Sequence, residues 1–367
     1  MKKNLGICLL VVMVVALGFL PAQAQTPTAA SVVPTREPAV DAVYSNVVLR
    51  LDPALDAIVS ADAKLEVLKG DYFGFVEGPA WKKEDGGGYL LFSDIAANRI
   101  YKWDPKTGLA VFLEHSGYTG SAAPVYDHVN VNVTGRIAAA LIGSNGLTFD
   151  REGRLIVCTH GDRTLYRVEK DGTHTVLADK VDGKRLSGPN DAVVKSDGSI
   201  YFSDRGSGLI SGNVYPDPTN PSRELDFNGI LRWKDGKVDV IIKALSANGM
   251  AFSPDEKYLY LTTGPSITRY DVKPDGTIAN PKVMVDTSQD KSLPGGPDGV
   301  RVDRKGNIWT PAPGGVWVVS PEGKLLGKIR IPNQPPANLS FGDDDGKGLY
   351  LVGRNQLSHI RLAAPGI

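Results

Sequence analysis

Residues 145–178 read NGLTFDREGRLIVCTHGDRTLYRVEKDGTHTVLA. Asn145 and Gly146 open the alternation Leu147, Thr148, Phe149, and Asp150 to Gly153 has the composition of a hairpin turn. Arg154 to Cys158 is the next apolar run and Thr164 to Val168 a third. A second turn, Glu169 to Gly172, leads to His174–Ala178. Short runs rich in β-branched and aromatic residues, bounded by acidic-glycine turns, are strand and hairpin signals. Four such strands in succession describe one blade of a propeller.

The same grammar recurs along the chain. One unit has Ser199 to Ser203, Gly229 to Trp233 and Val238 to Ile242; another has Tyr258 to Thr262, Ile267 to Tyr270 and Lys282 to Val285. A third has Asn307 to Thr310, Gly315 to Val319 and Gly327 to Ile331. Six units each open on an acidic or amide residue: Glu77, Asn145, Asn190, Asn248, Asp298 and Asn338. Their openings read EGPAW, NGLTFD, NDAVVK, NGMAFSP, DGVRVD and NLSFGD. Repetition on this scale is the mark of a radial or solenoid architecture. The expected fold is all-β, a six-bladed propeller of four-stranded blades.

The last unit supplies only Leu339 to Phe341, Gly348 to Val352 and Leu357 to Leu362, and lacks an outer strand. Lys64 to Leu68 stands upstream of Glu77 with no blade of its own. Pairing it with the last blade closes the ring and removes an exposed sheet edge. Asp52 to Val59 reads as a short helix capped by Asp52, with Pro53 in its first turn.

Outside the repeats, a basic head, an apolar run from Leu5 to Leu20 and the small-residue pattern at Ala22 to Ala24 make residues 1–24 a signal peptide. The mature chain is then exported, to the periplasm or medium, with no membrane partner after cleavage. Residues 25–38 read as a flexible leader, and 39–367 as a single propeller domain with an insertion at about 114–143. Lys plus Arg and Asp plus Glu number 41 each, so the charge balance argues against nucleic acid as a partner. A monomer or small homo-oligomer is expected. With Cys8 in the signal peptide, Cys158 is left alone in an apolar run, which makes it a strand residue rather than half of a disulfide.

In a propeller, the residue that opens each innermost strand faces the central channel. One reading of the six-fold mark is local: Asn-Gly and Asp-Gly are turn dipeptides, and Asn145 or Asn338 can serve only their own backbone. Glutamate is a poor turn former, so Glu77 resists that reading. Glu77 and Asp298 are the two acids in the register, and converging carboxylates repel unless a proton or cation lies between them. Carboxylate and amide oxygens suit a hard cation, Ca²⁺ more than the strictly octahedral Mg²⁺. Five histidines and one mature cysteine supply no zinc spacing. A cation with open positions polarises a carbonyl, and Asp298 is placed to be both ligand and base.

At these residues the chain resembles the SMP-30/gluconolactonase/luciferin-regenerating family, and its bacterial gluconolactonase branch in particular. EGPAW at 77–81 is similar to the family's opening motif. Glu77, GPND at 188–191, Asn248-Gly249 and PDG at 297–299 are similar to its metal-site set. The resemblance runs from about residue 50 to the C-terminus. It implies Ca²⁺, with Mg²⁺, Mn²⁺ or Zn²⁺ as alternatives, held by Glu77, Asn248 and Asp298, with Asn190 as ligand or substrate contact. It also implies hydrolysis of a sugar lactone with Asp298 as base, assisted by Asn190. Asn145 and the segment Thr159 to Arg163 have counterparts in the bacterial branch, so Asn145, His160 and Arg163 are candidate substrate contacts, with a purely structural rim role as the other reading for His160 and Arg163. Two segments depart from the family: Arg205 to Gly208, where a Pro-rich aromatic loop is usual, and 114–143. The alternatives are a calcium-stabilised propeller that only binds a small ligand, and hydrolysis of a different ester or lactone.

Overall fold

The computed structural model describes residues 42–121, 141–209, 219–331 and 335–366. The signal peptide, the leader and most of the 114–143 insertion lie outside them. Six antiparallel sheets follow one another around a central channel. Blade 1 comprises Val76–Lys82, Tyr89–Asp94, Arg99–Asp104 and Gly108–Glu114. Blade 2 comprises Ser144–Phe149, Leu155–Thr159, Leu165–Val168 and His174–Ala178. Blade 3 is Pro189–Val194, Ile200–Asp204, Gly229–Lys234 and Lys237–Lys243, and blade 4 is Met250–Phe252, Tyr258–Thr263, Ser266–Val272 and Ile278–Asp286. Blade 5 runs through Arg301–Val302, Ile308–Ala312, Gly315–Val319 and Leu325–Arg330. Blade 6 has Asn338–Gly342, Gly348–Gly353 and Gln356–Arg361.

The second strand of a blade is covered on both faces, which explains its unbroken apolar character: all five residues of Leu155–Thr159 and of Ile308–Ala312 are buried. Outer strands such as His174–Ala178 are mostly exposed. The core is divided into six clusters, one at each junction between neighbouring blades. Between blades 2 and 3, for example, Ile156, Cys158 and Leu165 pack on Ile200, Phe202 and Leu231. Cys158 is fully buried there, and burial pushes its thiol well up, so it behaves as an inert apolar residue. Between blades 5 and 6, Trp309 meets Phe341 edge to face at 5.5 Å.

The ring closes as the sequence suggests. Leu65–Lys69 pairs antiparallel with Gln356–Arg361 and completes blade 6. The chain before it does more than expected. Ala42–Tyr44 adds a fifth strand outside Leu65–Lys69, and Val48–Arg50 adds one to Leu325–Arg330 of blade 5. The N-terminal arm therefore spans two blades. The helix expected over 52–59 is a single 3₁₀ turn, Pro53–Ala57, whose cap Asp52 accepts a hydrogen bond from the Ala54 N–H at 2.8 Å.

Candidate active site

Each of the six polar residues opens the innermost strand of its blade, and the structure explains why glycine so often follows. A Cβ on Gly78 would meet the Asn145 carbonyl at 2.0 Å; on Gly146, the Asp191 Cα at 2.6 Å; on Gly249, the Asp298 carbonyl at 2.5 Å; on Gly299, the Asn338 Oδ1 at 2.0 Å. Four of these glycines thus let the next blade approach. Only Gly78 also needs a left-handed backbone, at φ 56°. The Asn-Gly and Asp-Gly pairs at Asn145, Asn248 and Asp298 are inter-blade contacts, not turns. Bulges at Glu77/Ala80, Ser144/Leu147 and Pro189/Ala192 break the strand register where Glu77, Asn145 and Asn190 lie.

The second strands of blades 1 and 3 hold the ring in place through a shared Phe-Ser-Asp ending. Ser93 Oγ donates to the Asn145 carbonyl at 2.8 Å, and Ser203 Oγ donates to the Asn248 carbonyl at 3.1 Å. Each serine thereby fixes the opening residue of the following blade. Asp94 accepts from the Gly74 and Phe75 N–H groups, and Asp204 from those of Ser187 and Gly188. Each aspartate fixes the loop that leads into its own blade. Burial pushes the Asp204 carboxyl up to about 6, against the pull of those two N–H groups.

Glu77, Asn145, Asn190 and Asn338 are buried, whereas Asn248 and Asp298 keep some exposure. Glu77 Oε2 accepts from its neighbour Gly78 N at 2.9 Å and from Asn338 Nδ2 at 3.0 Å. Burial raises the Glu77 carboxyl well above the usual range, and the charge of Asp298 raises it further. Burial also raises Asp298; Arg205 opposes that shift, Asp191 adds to it, and the Asn248 side chain lies beside the carboxyl. Glu77, Asp298 and Asn248 are thus neighbours in the channel.

A third acid joins them. Asp191 is 2% exposed and is likewise raised by burial, with Arg301 as the leading offset. Arg301 reaches across the channel from blade 5 and donates to the Pro79 carbonyl of blade 1 at 3.2 Å. Sequence reading placed Asp191 only within a motif, because it stands one position outside the repeated register. Arg205 was legible only as a departure from a pattern.

The structure separates the other candidates. His160 is fully buried; its Nδ1 lies 3.1 Å from the Leu141 carbonyl and its Nε2 3.1 Å from Asn145 Nδ2. Those partners require an Nδ1–H tautomer that accepts from the Asn145 amide. Burial lowers the imidazole to about 3, so it is neutral and orients Asn145. Arg163 is 4% exposed and donates through Nε to Leu186 O at 2.7 Å and through Nη1 to Ser222 O at 2.9 Å. It ties the second blade to the loops flanking the third.

Among the described residues no group of three or more histidine, cysteine or carboxylate side chains forms a metal-holding cluster. The donor set is instead mixed. Asn190 Oδ1, Asp191 Oδ2 and Asp298 Oδ1 are buried without a hydrogen-bond partner among the described residues. Unpaired buried oxygens beside two carboxyls that burial raises form an arrangement that a hard cation satisfies.

The fold is a six-bladed propeller with carboxylates and amides gathered at the mouth of its channel. Residues 75–354 match the SMP-30/Gluconolactonase/LRE-like region, and the chain belongs to that family. It is 32% identical over 330 residues to a gluconolactonase of Zymomonas mobilis, with 87% of each chain covered. It is also similar to the solved structure of a gluconolactonase from Xanthomonas campestris, at 29% identity and a TM-score of 0.70, covering 91% of this chain and 98% of that one. A calcium-binding regucalcin from Agrobacterium tumefaciens is alike in fold alone, at 15% identity and a TM-score of 0.58, over 81% of this chain and 94% of its own. The chain is a gluconolactonase-like lactone or carboxylic ester hydrolase.

Proposed function

We propose that this protein opens a sugar lactone at a divalent-cation site formed by Glu77, Asn190, Asn248 and Asp298, and that the ion is Ca²⁺. The observation that carries the reading is the set of oxygens on Asn190 and Asp298 that have no hydrogen-bond partner among the described residues, beside the Glu77–Asp298 pair. Calcium accepts mixed carboxylate and amide oxygens with loose geometry. The two gluconolactonases support the substrate class. When bound, the cation supplies Lewis-acid polarisation of the lactone carbonyl and charge compensation for the acid pair.

The residues of the chain do the rest. Asn145, fixed by His160 through Nδ2, offers its Oδ1 to a substrate hydroxyl. Asn190 contributes a carbonyl oxygen and an amide donor at the reacting end. Asp298 takes a proton from a water as the water oxygen bonds to the lactone carbonyl carbon. The ring C–O bond then breaks, the proton passes to the departing ring oxygen, and the open-chain aldonic acid formed loses its carboxyl proton to solvent as it leaves as aldonate.

We further infer that the mature protein works outside the cytoplasm, since residues 1–24 have signal-peptide character. Residues 39–367 act as one propeller domain. The test is titration of the acid released from a panel of aldonolactones by wild type and Asp298→Asn. Loss of general-base help lowers kcat by about 10²–10⁴-fold. Equal rates for the two proteins would remove Asp298 from the reaction.

A further inference from the structure

Arg205 follows the second strand of blade 3. Asp204 is paired across the sheet with Pro189, so Arg205 lies opposite Gly188, at the same end of the blade as Asn190. The loop after it is pressed against that edge. Gly208 N donates to the Ser187 carbonyl at 3.1 Å, and a Cβ on Gly188 would meet Gly208 N at 2.1 Å. A Cβ on Gly208 would meet the His160 carbonyl at 2.2 Å. The backbone that carries Arg205 is thus fixed between Asn190 and the residues that orient Asn145.

Among the described residues its side chain finds no partner. Arg205 keeps part of its surface open, its Nε is buried without a partner, and it forms no hydrogen bond or ion pair with the described residues. Arg163 nearby spends Nε and Nη1 on backbone carbonyls. The charge of Arg205 is felt at Asp298 and at His160, which puts it over the same mouth. With a divalent cation in place, Glu77 and Asp298 are balanced and Asp191 faces Arg301. Among the described residues, Arg205 is then left without a counter-charge at the mouth.

A guanidinium in that position is a planar fork of donors without an acceptor. A neutral lactone leaves it unpaired at a desolvation cost, while a carboxylate on the substrate completes it with two parallel hydrogen bonds. We propose that Arg205 is a specificity-determining residue that selects lactones bearing a second, anionic group, a carboxylate at the end of the sugar remote from the lactone carbonyl. This inference rests on the lactonase reading and deepens it.

The experiment compares an aldarolactone, which retains a free carboxylate, with the neutral aldonolactone of the same sugar. Wild type, Arg205→Gln and Arg205→Lys are assayed with both. The ratio of kcat/KM for the aldarolactone to that for the aldonolactone falls by about 10- to 100-fold in Arg205→Gln, the range of a charged hydrogen bond. Arg205→Lys restores part of it, because charge returns without the fork. An unchanged ratio in Arg205→Gln overturns the proposal. A second arm uses calorimetry with the open-chain aldarate and aldonate. Wild type binds the aldarate more tightly, and Arg205→Gln removes the difference. That arm reads Arg205 even if no lactone is hydrolysed, an outcome that would sink the lactonase reading alone. Equal affinity of wild type for the two acids counts against Arg205 whatever the turnover.

Discussion

Glu77, Asn248 and Asp298 stand out in the sequence with three other residues because each repeats a position, and a repeated polar position in a propeller points at the axis. The family resemblance is what set these three apart. The glycines beside them carried a second message that the sequence disguised. Asn-Gly and Asp-Gly look like turns, yet Gly249 has no turn to make: its N–H donates to the Asp298 carbonyl at 2.9 Å, and any Cβ would strike that same carbonyl. Gly249→Ala is therefore expected to cost about 1–3 kcal/mol, as overpacking against backbone does, and to move Asp298. Denaturant melts and lactone turnover measured on one preparation check this; unchanged kcat would mean that the backbone contact does not position Asp298. Asp191 escaped the register by one residue, and Arg205 has no repeat to betray it. Single side chains placed by tertiary approach leave no periodic trace. His160 looked like a rim residue or a ligand contact, and only its burial and two ring partners reveal that it holds Asn145.

At the scale of strands, closure was legible and the arm was not. Leu65–Lys69 alternates over enough residues to be recognised, and its missing blade named its partner. Ala42–Tyr44 and Val48–Arg50 have three residues each, too few for any period. Their contributions should differ accordingly. Leu65 is fully buried in the cluster between blades 5 and 6, so a chain lacking residues 60–70 should not melt cooperatively. A chain starting at residue 51 loses the two edge strands and Val47, whose burial contributes about 1.5–3 kcal/mol, and should still fold with a lowered Tm. Equal melting of the two truncations would contradict this ranking.

The seam that closes the ring carries a buried titratable group. His359 on the last strand faces Glu66 on the closing strand, with Nε2 3.1 Å from Asp343 and Nδ1 3.6 Å from Glu66. Burial lowers the imidazole, but the two carboxylates outweigh it and raise His359 above its usual value. A raised value means that the stabilisation is complete below about pH 6.5 and is lost as pH rises through the folded-state value. Glu66 is half-exposed, so screening limits the effect to about 1–2 kcal/mol. The Tm gap between wild type and His359→Gln should be widest near pH 6 and narrow by pH 9; a gap that widens with pH would reverse the assignment.

Channel, ring and closure together give six blades that bring oxygen atoms to one mouth. That the mouth holds a cation needed for lactone opening is tested most directly by titrating chelator-stripped protein with Ca²⁺ while binding heat and lactone hydrolysis are followed together. Hydrolysis should return in proportion to site occupancy in wild type, with both signals weakened in Glu77→Gln. Full hydrolysis in the stripped protein, or calcium binding that leaves the rate unmoved, would contradict it.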